Sequence, residues 1–205
     1  MSRYGFLQAG GGSKRFGSDK AMVELAGKTM LQRTAELLSG VCDEVSIVAA
    51  HGKYTNLSWP VISDRWPGEG PLGGILTALS TIRSAEANKS WALILSCDMP
   101  FLNREFLAYL CERASVSRNQ VVVPESASGL EPLCACWNIN AYSTVRAGFD
   151  GGVRKVSDAM RRLSMEVLDE PVWKRFDSEG RLFWNMNTPD DYEAARRILK
   201  QGKNE

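Results

Sequence analysis

Short apolar runs alternate with longer amphipathic segments over almost the whole chain. The apolar runs, which are typical of buried strands, are 4–9, 45–50, 59–62, 91–96, 120–124, 132–137 and 183–186. Helical spacing of apolar residues or a capping pattern predicts helices at 30–39, 71–82, 104–113, 139–147, 155–163 and 189–200. Strands that alternate with helices predict an α/β fold with three layers, in which a mostly parallel, Rossmann-like sheet has helices on both faces.

The helix boundaries carry recognisable end signals. Thr29 is a good N-cap residue and Gly40 a good stop, and Pro71 suits the first position of its helix. Gly73 and Gly74 in that first turn lower helix propensity. Two explanations stay open for them: a ligand that approaches the backbone closely, or a helix packed tightly on the sheet.

Polar residues follow several of the predicted strands. A glycine loop follows the first strand, Asp64 follows the third, Asp98 the fourth and Asn187 the last. Ligands of parallel α/β sheets bind outside the carboxyl ends of the strands. We therefore expect these residues to face one cleft.

The glycine loop after the first strand has the composition of a phosphate-binding loop. Gly10, Gly11 and Gly12 let the backbone turn sharply and approach a ligand, and consecutive N–H groups in such a loop bind anions. Three cations, Lys14, Arg15 and Lys20, come within the next ten residues. A polyphosphate is the favoured ligand, and the alternative is a simple glycine turn with solvated basic side chains.

Two common phosphate-binding motifs do not fit this loop. Gly12 and Gly17 have the spacing of a Walker A motif, but Ser18 stands where the lysine is needed. The dinucleotide fingerprint fails because position 15 is an arginine where a glycine is required. A dinucleotide-dependent oxidoreductase is therefore disfavoured.

The loop and the segment that follows it resemble the signature of a nucleotidyltransferase family. The segments 9–20 (AGGGSKRFGSDK) and 24–28 (ELAGK) are similar to the L-A-G-G-x-S-x-R-M-G-x-D-K and L-x-G-K elements of the family that includes molybdenum cofactor guanylyltransferase. Gln8 and Phe16 replace the usual Leu and Met. Further likenesses lie at 71–75 (PLGGI), 97–100 (CDMP), 131–135 (EPLCA) and 185–189 (NMNTP), so the resemblance extends over nearly the whole chain.

The resemblance implies a nucleotide-diphospho-sugar transferase fold and transfer of GMP from GTP to the terminal phosphate of molybdenum-carrying molybdopterin. It implies one domain, 1–205, with a nucleotide-binding half at 1–100 and an acceptor-binding half at 101–200. It assigns Mg²⁺ as the cofactor and Asp98 as its ligand. The implied catalytic residues are Arg15, Lys20 and Asp98; the nucleotide-binding residues are Gln8, Ala9, Gly10, Gly11, Lys20, Asp64 and Asp98; the acceptor-binding residues are Asn185 and Asn187.

From the residue alone, Asp98 is equally well explained as a turn or capping aspartate before Pro100. Asp64 has the same alternative as a loop-entry residue. Ala49 departs from the family, where a polar residue is frequent near the nucleotide, and this departure weakens any assignment of the base.

The composition restricts the other classes of function. Net charge is +1, from 25 basic and 24 acidic residues, so no overall basic field indicates a nucleic-acid partner. Five cysteines without a C-x-x-C pair and a single histidine make a zinc site implausible and favour free thiols in a reducing compartment. No apolar run approaches ~18 residues, so we expect a cytoplasmic protein without a membrane partner.

A basic group late in the chain, formed by Arg154, Lys155, Arg161 and Arg162, is most simply a solvated face. The alternative is attraction of the acceptor phosphate or of partner proteins that act in molybdoenzyme maturation. Other functions that stay open are a cytidylyltransferase, a sugar-phosphate nucleotidyltransferase and a non-catalytic cofactor-delivery module of the same fold.

Overall fold

A computed structural model describes residues 3–10, 19–85 and 90–201 of the chain. The strands are β1 (Arg3–Gln8), β2 (Glu24–Leu25), β3 (Lys28–Thr29), β4 (Glu44–Ala49), β5 (Val61–Ser63), β6 (Trp91–Ser96), β7 (Val121–Ser126), β8 (Gly129–Leu130), β9 (Cys134–Asn138) and β10 (Met165–Leu168). The helices are α1 (Met30–Ser39), α2 (Pro71–Ala85), α3 (Arg104–Val116), α4 (Ala141–Asp150), α5 (Val156–Met160), α6 (Glu170–Trp173) and α7 (Pro189–Gln201), with a 3₁₀ turn at Lys20–Met22. The predicted alternation of strands and helices is confirmed.

The main sheet has the strand order β10-β7-β9-β6-β1-β4-β5, and β8 pairs with β7. Strand β1 lies in the middle, parallel to β6 and to β4. Strand β9 runs antiparallel to both of its neighbours, β6 and β7. The sheet is therefore mostly parallel, as predicted, with a reversed strand at β9.

Helices cover both faces of the sheet because the inner strands are apolar on both sides. Neighbouring residues Phe6 and Leu7 of β1 are both buried, but they belong to two different hydrophobic clusters. The Leu7 cluster contains buried residues of α1, α3 and α6. The Phe6 cluster contains buried residues of α2, α4 and α5. Successive side chains on a strand point to opposite faces, so this division is what a three-layer α/β/α arrangement requires.

The register of the central strands aligns their carboxyl ends. Gln8, the last residue of β1, lies opposite Ser96 of β6 and Val48 of β4. Ala49 of β4 lies opposite Ser63 of β5. Gly10, Asp64 and Asp98 therefore follow their strands at the same edge of the sheet.

The predicted strand at 183–186 is wrong, because this segment forms a turn followed by irregular backbone. The reason is that its apolar side chains are buried against other rings. Phe183 makes edge-on contacts with Phe106 and Trp173, at centroid distances of 5.5 Å and 5.1 Å. Ring burial of this kind produces the same apolar run as a strand.

Five short elements, β2, β3, β8, β10 and α6, and the 3₁₀ turn at Lys20–Met22 were not predicted. Strand β10 lies at the edge of the sheet, where Val167 is exposed and Glu166 pairs with Arg113 of α3. A strand this short has too few residues for alternating polar and apolar positions to distinguish it from a loop.

The C-terminal helix α7 is attached by a third, smaller cluster. Leu25, Met30, Met186 and Ala195 are buried in it, and Trp184 stacks on Phe101 beside it. The cluster joins the last helix to the segment that follows the glycine loop. None of the helices in the described part of the chain has the length and apolar content of a bilayer-spanning helix.

Candidate functional site

The cleft at the carboxyl edge of the sheet is divided into two cavities by Gln8. A first cavity of about 250 Å³ lies toward β6, and a second of about 360 Å³ lies toward β4 and β5. Gln8 and Gly10 line both cavities. The side-chain Nε2 of Gln8 donates to the carbonyl of Pro71 at 3.1 Å, which fixes this partition against the start of α2.

The two glycines at the start of α2 are explained by packing within the protein. A Cβ on Gly74 would lie 2.6 Å from the Gln8 side chain, and one on Gly73 would lie 2.8 Å from the Trp66 carbonyl oxygen. Real Cβ atoms do not approach other atoms so closely. Tight packing therefore explains Gly73. For Gly74, which also lines the second cavity, packing is supported and the close approach of a ligand stays open.

Lys20, Asp98 and Asn187 come together at the first cavity. The Lys20 Nζ donates to Asn187 Oδ1 at 2.8 Å and lies 3.8 Å from Asp98 Oδ2. The side chains of Lys20 and Asp98 are 16% and 26% exposed, so both still reach solvent. Lys20 and Asp98 line the cavity, and Asn187, which is not part of the lining, accepts the hydrogen bond from the lysine. The three residues are far apart in sequence.

Asp98 is held from two sides. The Ser96 hydroxyl donates to Asp98 Oδ1 at 2.6 Å, and the Met186 N–H donates to the Asp98 carbonyl at 2.8 Å. Ser96 is the last residue of β6, and it had no signal of its own in the sequence. Both contacts place the carboxylate at the mouth of the cavity.

The first cavity can bind a hard cation only if the substrate supplies the remaining oxygen ligands of that ion. No cluster of three or more histidine, cysteine, aspartate or glutamate side chains that could hold a metal is found among the described residues. Mg²⁺ commonly binds through one or two carboxylates together with phosphates and waters. Of the two carboxylates in the lining, that of Asp19 already accepts hydrogen bonds from Tyr54 and Lys53, whereas the solvent-reaching carboxylate of Asp98 fits that mode of binding.

Asp19 orders the segment that leads into Lys20. Its Oδ1 accepts a hydrogen bond from the Ala21 N–H, and its Oδ2 accepts from the Tyr54 hydroxyl at 2.7 Å and from Lys53 Nζ at 3.1 Å. Burial by itself raises the pKa of Asp19, but these hydrogen bonds outweigh it and hold the pKa below its usual value. Tyr54 and Lys53 were not anticipated, because they lie more than thirty residues along the chain from their partner.

The second cavity is lined mainly by backbone and small residues. Asp64 contributes to it, together with Ala49, Lys53 and the segment Pro67, Gly68 and Gly70. Asp64 Oδ1 accepts hydrogen bonds from the Trp66 N–H at 3.0 Å and from the Thr77 hydroxyl at 2.9 Å. Its carboxylate therefore shapes the loop as well as facing the cavity.

The remaining predicted site residues are placed as follows. Ala9 is buried and its N–H donates to the Val48 carbonyl at 2.9 Å, whereas Gly10 is exposed at the cleft. Asn185 is partly buried, donates to the Phe183 carbonyl, and lines neither cavity. Gly11 and Arg15 lie outside the described residues. The ligand-binding roles of all these residues stay predictions.

Comparison with known proteins identifies relatives along the whole chain. Residues 5–164 match the family described as MobA-like NTP transferase domain. A probable molybdenum cofactor guanylyltransferase of Chloroflexus aggregans is 31% identical over 97% of this chain and 96% of its own length. The molybdenum cofactor guanylyltransferase of Desulfosudis oleivorans is 30% identical, again over 97% of this chain and 96% of its own.

Solved structures agree with this relationship. Molybdopterin-guanine dinucleotide biosynthesis protein A from Archaeoglobus fulgidus superimposes with a TM-score of 0.84 at 25% identity, covering 97% of this chain and 99% of its own. A 2-C-methyl-D-erythritol 4-phosphate cytidylyltransferase from Thermus thermophilus has a TM-score of 0.67 at 14% identity, covering 95% of this chain and 98% of its own, which shows the shared fold alone. With the family match covering most of the sequence, the chain belongs to the MobA-like NTP transferase family.

Proposed function

We propose that this protein transfers GMP from GTP to the terminal phosphate of molybdenum-carrying molybdopterin, forming the guanine dinucleotide cofactor and pyrophosphate. The observation that carries the proposal is that Lys20 and Asp98 line one cavity, 3.8 Å apart, with Asn187 hydrogen-bonded to the lysine. The names of the full-length relatives supply the substrates.

The reaction needs few protein groups because the nucleophile is already charged. A phosphate monoester has a second pKa of about 6, so near neutral pH its oxygen attacks without a general base. The oxygen forms a bond to the α-phosphorus of GTP, and the bond from that phosphorus to the pyrophosphate oxygen breaks. What remains for the protein is to bring two polyanions together in line.

The residues of the first cavity meet these needs. The Lys20 ammonium offsets charge on the triphosphate, and its hydrogen bond to Asn187 directs it into the cavity. Asp98 would hold Mg²⁺, and Ser96 orients the carboxylate for that role. When bound, the metal ion supplies positive charge to the reacting phosphates.

The cysteine in the same cavity does not serve as a covalent nucleophile in this proposal. Burial, followed by the neighbouring Asp98 charge, raises the pKa of the Cys97 thiol to about 12. The thiolate is the reactive form of cysteine, so near neutral pH Cys97 stays an unreactive thiol.

The second cavity is the place proposed for the guanosine part of the substrate. It offers backbone groups and the Asp64 side chain to a flat, polar ring, and it meets the first cavity at Gln8 and Gly10. A nucleotide that extends across Gln8 would therefore have its base on one side and its phosphates on the other.

The test is release of pyrophosphate with molybdenum-loaded molybdopterin as acceptor and each of GTP, CTP, UTP and ATP as donor. We expect turnover mainly with GTP, and its loss when a chelator removes Mg²⁺. Dominant turnover with CTP would overturn the assignment of the base. Unchanged turnover in Asp98→Ala would overturn the assigned role of Asp98.

A further inference from the structure

One wall of the second cavity is formed by the loop between β5 and α2. The loop residues Pro67, Gly68 and Gly70 line the cavity. Gly68 and Gly70 have positive φ angles of 85° and 72°, a region that glycine enters readily. Because glycine also has the largest conformational freedom, the position of this wall must be set by contacts elsewhere in the loop.

The N-terminal end of the loop is anchored within the first half of the chain. The Thr77 hydroxyl of α2 donates to Asp64 Oδ1 and accepts from the Arg65 N–H at 3.0 Å. These contacts fix where the loop leaves β5. They do not reach its tip.

The tip is anchored to the second half of the chain by an ion pair between Glu69 and Arg154. Arg154 Nε donates to Glu69 Oε2, across a separation of 85 residues in sequence. Glu69 lies between the two glycines that line the cavity. Holding its side chain therefore restricts the positions that the backbone of both glycines can take.

Arg154 is itself held in place by the turn that follows α4. Its Nη1 donates to the Phe149 carbonyl at 2.7 Å and to the Val153 carbonyl at 3.0 Å. Its guanidinium also lies over the Phe149 ring, 4.1 Å from the centroid. The same ring makes an edge contact with Trp66 of the loop, at 5.9 Å.

An isolated surface ion pair contributes little, and the side chains of Arg154 and Glu69 are 45% and 42% exposed. This pair differs because the arginine is already ordered by two carbonyls and a ring. Less side-chain freedom remains to be lost when Glu69 binds to it. The arginine thus acts as a fixed point for a glycine-containing loop.

We infer that Arg154 is a positioning residue for the donor nucleotide: through Glu69 it holds the loop wall against the nucleoside. The inference rests on the proposed function, since it assumes that the second cavity receives a nucleoside triphosphate. This role replaces the two sequence-based interpretations of Arg154, which were a solvated surface residue and a residue that attracts the acceptor phosphate.

The test compares four variants of the full chain: Arg154→Ala, Glu69→Ala, the double variant, and the control Arg161→Ala. Arg161 is a matched control because it belongs to the same basic group, is 79% exposed and pairs with Asp158 of the preceding helix α5. Binding of GTP with Mg²⁺ is measured by calorimetry, and KM for each substrate and kcat are measured from pyrophosphate release. Thermal unfolding shows that each variant is folded.

We expect Arg154→Ala and Glu69→Ala each to weaken GTP binding roughly three- to tenfold, the effect of one ion pair supported by a ring contact. The double variant should be no weaker than the single ones, because both remove the same contact. In these variants kcat and the KM for the acceptor should each change less than twofold, because only binding of the donor is affected. The control Arg161→Ala should bind GTP like the wild type.

Three results would overturn the inference: wild-type GTP affinity in Arg154→Ala, additive losses in the double variant, or a loss confined to the KM for the acceptor. A wild-type protein that binds GTP but releases no pyrophosphate would refute the proposed function and leave the binding comparison valid. A wild-type protein that binds no nucleoside triphosphate would refute both.

Discussion

The two cavities on either side of Gln8 are built by different means. The first is charged and depends on the side chains of Lys20, Asp98 and Asp19. The second also contains Lys53 and Asp64, but most of its lining is glycine, other small residues and backbone, and its shape depends on contacts made behind it. A change in the first cavity should therefore act on the chemical step, and a change around the second should act on nucleotide binding.

The largest effect is expected from Asp98→Ala. Removing this carboxylate takes away the one proposed metal ligand, and we expect kcat to fall roughly a hundred- to a thousandfold, as for loss of other charge-stabilising groups. Pyrophosphate release measures the loss. Asp98→Asn, which keeps the size but not the charge, should be nearly as inactive.

If Asp98→Asn lowers kcat by less than about tenfold, this residue contributes through hydrogen bonding and not through its charge. The first cavity would then not differ from the second in its dependence on charge.

Gly74→Ala should disturb the partition between the cavities. The new Cβ would lie 2.6 Å from the Gln8 side chain, so either Gln8 or helix α2 has to shift. The contacting atoms are the far end of the flexible Gln8 side chain, so this side chain should move aside and the free energy of unfolding should change by less than about 1 kcal/mol. GTP affinity should fall about tenfold, because Gln8 no longer separates the two cavities as before. Chemical denaturation and calorimetry measure the two effects.

Gly148→Ala in α4 is the matched control. A Cβ there meets its neighbours at 3.7 Å or more, which is ordinary contact distance. An alanine in a helix is favoured over glycine by about 0.5–1 kcal/mol, so this variant should be as stable as the wild type or more so. Equal effects of the two substitutions on GTP affinity would contradict the packing explanation of Gly74.

Asn187→Ala and Asn185→Ala separate the two predicted acceptor residues. Asn187 directs the Lys20 ammonium, so its loss should lower kcat about fivefold, the effect of a hydrogen bond to a charged group that is still partly hydrated. Asn185 donates only within its own turn, to the Phe183 carbonyl at 3.3 Å, and its loss should change the rate less. Steady-state kinetics with varied acceptor measure both, and a larger effect at Asn185 would reverse the assignment.

The smallest effect is expected at the Asp19–Tyr54 contact. Tyr54→Phe removes one of the donors that lower the pKa of Asp19, so this pKa should rise toward its usual value of 3.8. Because the folded-state pKa is below that of the unfolded chain, the contribution of Asp19 to stability is present above about pH 4 and is lost as pH falls through the folded pKa. The wild type should therefore exceed the variant in stability near neutral pH, and this margin should shrink in acid.

Carboxyl titration by NMR and unfolding at several pH values test this expectation. An unchanged pKa of Asp19 in Tyr54→Phe would show that Lys53 and the Ala21 N–H alone account for the lowering.

The parts of the fold that were predictable are those with local signals. Helix α1 begins with a capping box between Thr29 and Gln32, and β6 has the predicted bounds because its apolar run is buried on both faces. The positions of Lys20 and Asp98 at one cavity followed from the rule on strand ends together with the family resemblance. The signal for each element, and for Lys20 and Asp98 taken separately, lies within about a dozen consecutive residues.

The features that were missed depend on partners distant in sequence. The hydrogen bond from Tyr54 to Asp19 and the ion pair from Arg154 to Glu69 join segments whose contact only the folded chain defines. The segment 183–186 was misread for the same reason, since the rings that bury it come from α3 and α6. The pattern of apolar residues indicates that a segment is buried, but it does not indicate which other residues cover it.

The hydrogen bond from the Met186 N–H to the Asp98 carbonyl, together with that from Lys20 to Asn187, has a consequence for the synthesis of this protein. The ribosome translates Asn187 167 residues after Lys20, so neither bond can form until the segment 186–187 has been made. In the nascent chain, Lys20 and Asp98 therefore wait for that later segment before both are held at the first cavity.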